Sequence, residues 1–200
     1  MTRNVVILYC GSSFTKSLFD TLLTFKLRPV LLPSDTPYAV IEALDPLAIM
    51  ISGSPDYVNG PFAPTVDLNI YDSDTPVLGI CYGMQRMAKD LGGTVKRLPG
   101  PEKELTPLKF TDEPSVLFRD FTEDGAPVWM AHVCIVTEVP EEFSIVASTA
   151  VTAIAAMEDE ERQLYAVQFH PEHKGKDPSS QAGTAIIWNF LNGVCGYEIA

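Results

Sequence analysis

The chain has 200 residues, 46% hydrophobic and 20% charged, which is enough apolar side chain for one α/β domain with a substantial core. Its net charge of −12, from 14 basic and 26 acidic residues, argues against a nucleic-acid surface, which carries a basic face, and suits a partner with a basic docking surface. No run approaches the roughly 18 apolar residues of a membrane span, the opening Met1-Thr2-Arg3-Asn4 lacks signal-peptide character, and four cysteines without a C-x-x-C pair predict neither disulfides nor a zinc site in a cytoplasmic protein.

Taken in chain order, residues 4–9 (NVVILY) read as a buried strand and 15–27 as a helix with Leu18, Phe19, Leu22, Leu23 and Phe25 at helical spacing. Residues 29–32 form a second strand, 38–44 a short helix and 46–52 a third strand. That strand leads into a loop rich in glycine and proline. Residues 76–80 form a fourth strand, and a helix over 83–91 ends at Gly92-Gly93. This alternation predicts a mainly parallel open sheet with helices on both faces, a flavodoxin-like core. The second half changes rhythm. Residues 95–98, 105–110, 127–130, 143–147, 153–157 and 164–169 are strand-like with few helices between them, and are expected to extend the sheet with antiparallel strands. A closing amphipathic helix is expected over 183–194, and the whole chain, residues 1–200, reads as one domain.

In such sheets the ligand site lies beyond the carboxyl ends of the strands. Tyr9-Cys10-Gly11, Ser52-Gly53-Ser54-Pro55 and Cys81 all fall at expected carboxyl ends. Cys81 is the most telling of them. It sits in Gly79-Ile80-Cys81-Tyr82-Gly83-Met84-Gln85, between an apolar strand and a helix, which is the thiol counterpart of the G-x-S-x-G nucleophile elbow. The glycines permit a sharp turn that exposes the side chain between them. The free N–H groups and positive dipole end of the following helix favour a nucleophilic thiolate. A second motif, Gln168-Phe169-His170-Pro171-Glu172, follows the apolar run 164–167. His170 is placed to act as general base for Cys81, and Glu172 to orient the imidazole and stabilise its charged form. Cys10 and Cys195 read as packing residues, and His132 as structural.

With both motifs in place, the chain resembles the class I, triad-type glutamine amidotransferases, and within them the glutaminase domain or subunit of the GMP synthase branch. The matching blocks are Gly11-Ser12-Ser13-Phe14-Thr15, Ile51-Ser52-Gly53-Ser54-Pro55, the Cys81 elbow, Val128-Trp129-Met130-Ala131-His132, the His170 motif and the closing Trp188-Asn189-Phe190-Leu191-Asn192-Gly193. The resemblance implies hydrolysis of the glutamine side-chain amide through a thioester on Cys81, with ammonia passed to a synthetase and no metal or organic cofactor. It also implies an oxyanion hole from the backbone N–H groups of Tyr82 and Ser54. Substrate contacts are implied for Gly53, Gln85 and the segment carrying Ala131, Val133 and Cys134.

The chain departs from that branch in three places. Ser54 stands where a glycine is usual, Val133-Cys134 replaces Gly-Asp, and residues 99–108 lack an Arg-Glu-Tyr/Phe-Gly-like stretch. The resemblance leaves open a separate subunit or one domain of a longer chain. Two further readings remain at this level: a γ-glutamyl peptidase or hydrolase using the same triad, and a regulatory protein that keeps the triad without glutamine binding.

Overall fold

The structure, a computed structural model, describes residues 3–121 and 126–199. Its elements in chain order are β1 (Asn4–Tyr9), α1 (Thr15–Thr24), β2 (Arg28–Pro33), α2 (Tyr38–Glu42), β3 (Pro46–Ile51), β4 (Val77–Ile80), α3 (Tyr82–Asp90), β5 (Thr94–Pro107), β6 (Lys109–Phe110), β7 (Pro127–Glu138), β8 (Ser144–Ser148), β9 (Ala156–Asp159), β10 (Leu164–Val167) and α4 (Ser179–Asn189), which runs on as a π-helical turn over Phe190–Val194.

The main sheet has the order β2-β1-β3-β4-β10-β9-β8-β6. Its first five strands are parallel, and β9, β8 and β6 continue it antiparallel. The central strands are aliphatic on both faces because both faces are covered. Val5, Ile7, Ala48, Met50, Leu78 and Ile80 pack with Leu18 and Leu22 of α1 and Ile186 and Ile187 of α4. Val6, Leu8, Ile49, Ile51 and Val77 face Ile41 of α2 and Met84, Met87 and Ala88 of α3.

Two expectations need correction. Residues 95–98 and 105–107 do not join the main sheet, whereas 109–110 join it as its edge strand β6. The first two stretches belong to the single strand β5, which pairs antiparallel with β7 in a separate two-stranded ribbon whose register shifts between Arg97 and Glu102. The strand expected over 127–130 continues to Glu138, with buried residues alternating along it as Val128, Met130, His132, Cys134 and Val136. β7 therefore touches both cores: Val128 and Met130 join the cluster with α1 and α4, and Cys134 and Val136 join the one with α3. The ribbon thus crosses the rim of the sheet at the carboxyl end of β4.

Candidate active site

β4 and β10 are parallel neighbours, with Ile80 opposite Val167. The residues that follow each strand therefore emerge side by side, and the Cys81 N–H donates to Val167 O at 2.8 Å. Two motifs far apart in sequence meet because adjacent parallel strands end at one rim, not because of any local signal.

Cys81 takes φ 52° and ψ −101° at the head of α3. A β-carbon at positive φ is strained, by about 1–3 kcal/mol, and persists only where the surroundings fix it. The neighbouring glycines do so by allowing close approach. A Cβ on Gly83 would lie 2.3 Å from Ile51 O, and one on Gly79 would lie 2.8 Å from the Gly83 carbonyl. The elbow thus lets α3 press directly against β3 and β4. The sulfur donates to Ala131 O at 3.9 Å, accepts from Gln168 Nε2 at 3.6 Å and lies within hydrogen-bonding reach of the His170 ring.

His170 is held on all sides. Its N–H donates to Trp129 O of β7 at 2.9 Å, its ring lies 4.4 Å from the Phe14 ring, and its Nδ1 bonds Glu172 Oε1 at 2.9 Å. Burial of the imidazole opposes its charge, but the Glu172 carboxylate and the nearby Cys81 outweigh it and raise its pKa well above the ordinary value. His170 therefore carries a proton at neutral pH. Glu172 is 1% exposed and its second oxygen, Oε2, has no hydrogen-bond partner. Its one described hydrogen bond is thus the one to His170.

Gly53 and Ser54 reach the site from the end of β3. A Cβ on Gly53 would lie 3.0 Å from His170 Cε1, so the imidazole occupies the space a side chain would need. Ser54 does not take a positive φ, so the serine stands where a glycine is usual without backbone cost. Its Oγ accepts from the Asp56 N–H at 3.1 Å and fixes the turn. Tyr82 opens α3, so its N–H has no intrahelical acceptor. Its hydroxyl donates to Pro64 O at 2.6 Å, tying the loop after β3 to the elbow helix.

A cleft of about 350 Å³ opens above the sulfur, lined by Cys81, Gln85, Ser54, Ala131, Val133 and Cys134, with Asp56, Pro101 and Lys103 at its walls. A larger groove of about 580 Å³ at Tyr9, Leu31 and Pro64 holds neither the thiol nor the imidazole. Gln85 lines the cleft, but its amide nitrogen is committed to Cys134 O at 2.8 Å and Gln168 Oε1 at 3.3 Å. Gln168 is the link that sequence reasoning missed. It is fully buried and joins Gln85 to the sulfur, and its place within the His170 motif was the available signal.

In the cleft lining, His132 Nε2 lies 3.1 Å from Glu102 Oε2, which also accepts from Thr152 Oγ1 at 2.7 Å. Burial lowers the pKa of His132, against the opposing pull of Glu102, and the charge of His170 lowers it further. His132 is therefore the neutral histidine of the two. Among the described residues no group of three or more His, Cys, Asp or Glu side chains is placed to hold a metal ion.

Comparison with known proteins decides the family. Residues 6–192 match the family model described as glutamine amidotransferase class-I. The chain belongs to the class I glutamine amidotransferases. Curated relatives include a GMP synthase [glutamine-hydrolyzing] from Carboxydothermus hydrogenoformans, 42% identical over 198 residues, covering 98% of this chain and 37% of the relative. Another, from Gloeobacter violaceus, is 38% identical and covers 97% of this chain and 34% of the relative. The chain thus spans little more than a third of the relatives it matches.

Among solved structures, a Thermoplasma acidophilum protein described provisionally as one of the subunits of GMP synthase superposes with a TM-score of 0.82 at 24% identity, covering 98% of this chain and 95% of that one. A Thermotoga maritima glutamine amidotransferase gives 0.74 at 16% identity, covering 98% and 100%. Both place the mixed sheet and its helices in the class I amidotransferase fold.

Proposed function

We propose that this class I amidotransferase chain hydrolyses the side-chain amide of glutamine and delivers the ammonia to a synthetase of the GMP synthase kind. The observation that carries the reading is a cysteine held at positive φ on a strand–helix elbow beside a buried, charge-paired histidine.

In this account the Cys81 sulfur attacks the amide carbon of glutamine, and the oxyanion is met by the backbone N–H groups of Tyr82 and Ser54. Each such donor contributes about 3–4 kcal/mol in enzymes where it has been removed. His170 gives its proton to the departing nitrogen, so the C–N bond breaks as ammonia leaves and a γ-glutamyl thioester remains. The neutral imidazole then takes a proton from water, the hydroxide adds to the thioester, and glutamate leaves as the sulfur departs. Glu172 holds the imidazole orientation and its charge throughout. Gly53 makes room for the imidazole, Gln85 and Gln168 hold the sulfur and β7 in place, and Ala131, Val133 and Cys134 wall the substrate cleft. The synthetase is the partner, and a basic docking surface on it would complement the charge of −12. The reading places the protein in the cytoplasm, where a reducing poise keeps such a cysteine out of disulfides. None of the helices in the described residues is long and apolar enough to cross a membrane.

Glutamate release by the purified chain, with and without the synthetase portion of a GMP synthase, tests this. Slow hydrolysis that rises about tenfold or more on adding the synthetase is expected, since a partner that binds the competent arrangement better shifts the population toward it. Fast, partner-independent turnover of γ-glutamyl peptides with little action on free glutamine would contradict it.

A further inference from the structure

The charged side chains of the cleft match the charges of an amino acid. Its walls carry one acidic and one basic side chain, Asp56 from the loop after β3 and Lys103 from β5, in a cleft that the segment 131–134 also lines. The remaining titratable groups facing it are Cys81, Cys134 and His132. Burial lowers the pKa of His132, which is neutral, and raises that of the Cys134 thiol, which stays protonated. The only bond of the Asp56 carboxylate among the described contacts is the one it accepts from Ser54 Oγ at 3.3 Å. Neither Asp56 nor Lys103 forms an ion pair with any described residue, and the two do not pair with each other, since no N–O approach within 4.0 Å joins them. One cation and one anion therefore face a single cleft without neutralising each other, and the sulfur lies in the same cleft.

A zwitterion fits this arrangement. The α-ammonium and α-carboxylate of an amino acid are fixed on one carbon, opposite in sign and a few ångströms apart. The side-chain amide extends away from them, toward the thiol. We infer that Lys103 receives the α-carboxylate and Asp56 the α-ammonium of the substrate, so that these two residues select a free amino-acid end. The inference rests on the glutaminase reading of the cleft and names its specificity residues.

The chain departs from the related branch where β7 carries Val133 and Cys134 in place of Gly-Asp. Val133 brings no charge to the cleft, and the Cys134 carbonyl is already held by Gln85. Two side-chain charges of the cleft lining, the clamp of Asp56 and Lys103, supply what β7 lacks. Both residues are exposed at the rim, so each charge pair is partly screened and its effect is moderate.

Truncated substrates separate the two roles. Glutaramic acid is glutamine without the α-ammonium, and 4-aminobutanamide is glutamine without the α-carboxylate. Dissociation constants for all three ligands would be measured by calorimetry on a Cys81→Ala protein, which binds without turning over, and again after adding Lys103→Met or Asp56→Asn. Each charge variant is expected to weaken glutamine binding about three- to fivefold. The pattern should be crossed. Lys103→Met leaves 4-aminobutanamide affinity unchanged and erases glutamine's advantage over it. Asp56→Asn does the same for glutaramic acid. Lys103→Arg should restore discrimination, which a merely structural role for Lys103 would not predict.

Unchanged discrimination in both variants, or no binding of millimolar glutamine, overturns the clamp. A separate turnover assay on the intact chain keeps the two readings apart. Glutamine hydrolysis with no crossed pattern sinks the clamp alone. A crossed pattern without any thioester chemistry sinks the glutaminase reading and leaves the clamp as an amino-acid site.

Discussion

Cys81→Ala is expected to lower the turnover number for glutamine by roughly 10⁵- to 10⁶-fold, as removal of the nucleophile does in other hydrolases, while the fold persists. The side chain contributes little to packing beyond its own sulfur, and the turn around it is built by Gly79 and Gly83 pressing on Ile51 and on each other. Alanine keeps the strain of a β-carbon at φ 52°. Cys81→Gly removes that strain and is equally inactive, so it should melt above Cys81→Ala, by an amount corresponding to about 1 kcal/mol. Thermal melts of the two variants, beside glutamate release, separate chemistry from backbone strain. An alanine variant that keeps a tenth of the activity, or a glycine variant that melts below it, would contradict the elbow.

His170→Ala should remove nearly all turnover, about 10⁴-fold or more, since both proton transfers pass through one imidazole. Glu172→Gln should cost less, roughly 10²-fold, because its role is orientation and charge. It also carries a pH signature. The Glu172 carboxylate is the larger of the two influences that lift the His170 pKa against burial. The proton needed by departing ammonia is present below the His170 pKa and is lost as pH rises through it. With the carboxylate gone that pKa falls, so the alkaline limb of the turnover profile should move to lower pH. An unmoved limb would mean that Glu172 does not set the charge of His170.

Much of this site is legible in the sequence because its parts lie in contiguous motifs at strand ends. The Cys81 elbow declares itself through two glycines between an aliphatic strand and a helix. The His170–Glu172 pair declares itself by sitting two residues apart after β10. The parallel half of the sheet is equally plain, since aliphatic runs buried on both faces leave few alternatives. What the sequence conceals is long-range pairing. β5 and β7 read as short separate strands because Pro99, Gly100 and Pro101 interrupt the first, and only the register across the bulge joins its halves. The alternation from Val128 to Val136 was readable, yet a histidine and a cysteine on the buried side disguised it as the end of a strand. His132 is buried there because Glu102 stands opposite it in the ribbon. Asp56 and Lys103 carry no motif at all, and only the folded cleft brings them to one place.

The most direct test of the central claim is to locate the reactive sulfur. A glutamine analogue whose amide is replaced by a diazomethyl ketone would form a C–S bond with the nucleophile, releasing dinitrogen, with His170 supplying the proton. Peptide mapping by mass spectrometry then reads which cysteine carries it. Burial pushes the Cys10 thiol up to about 12, does the same for Cys195 although part of that residue is exposed, and raises Cys134 in the cleft itself. The account predicts one adduct per chain, on Cys81, suppressed by excess glutamine and absent in Cys81→Ala. An adduct on Cys134, Cys10 or Cys195 with Cys81 unmodified would contradict it.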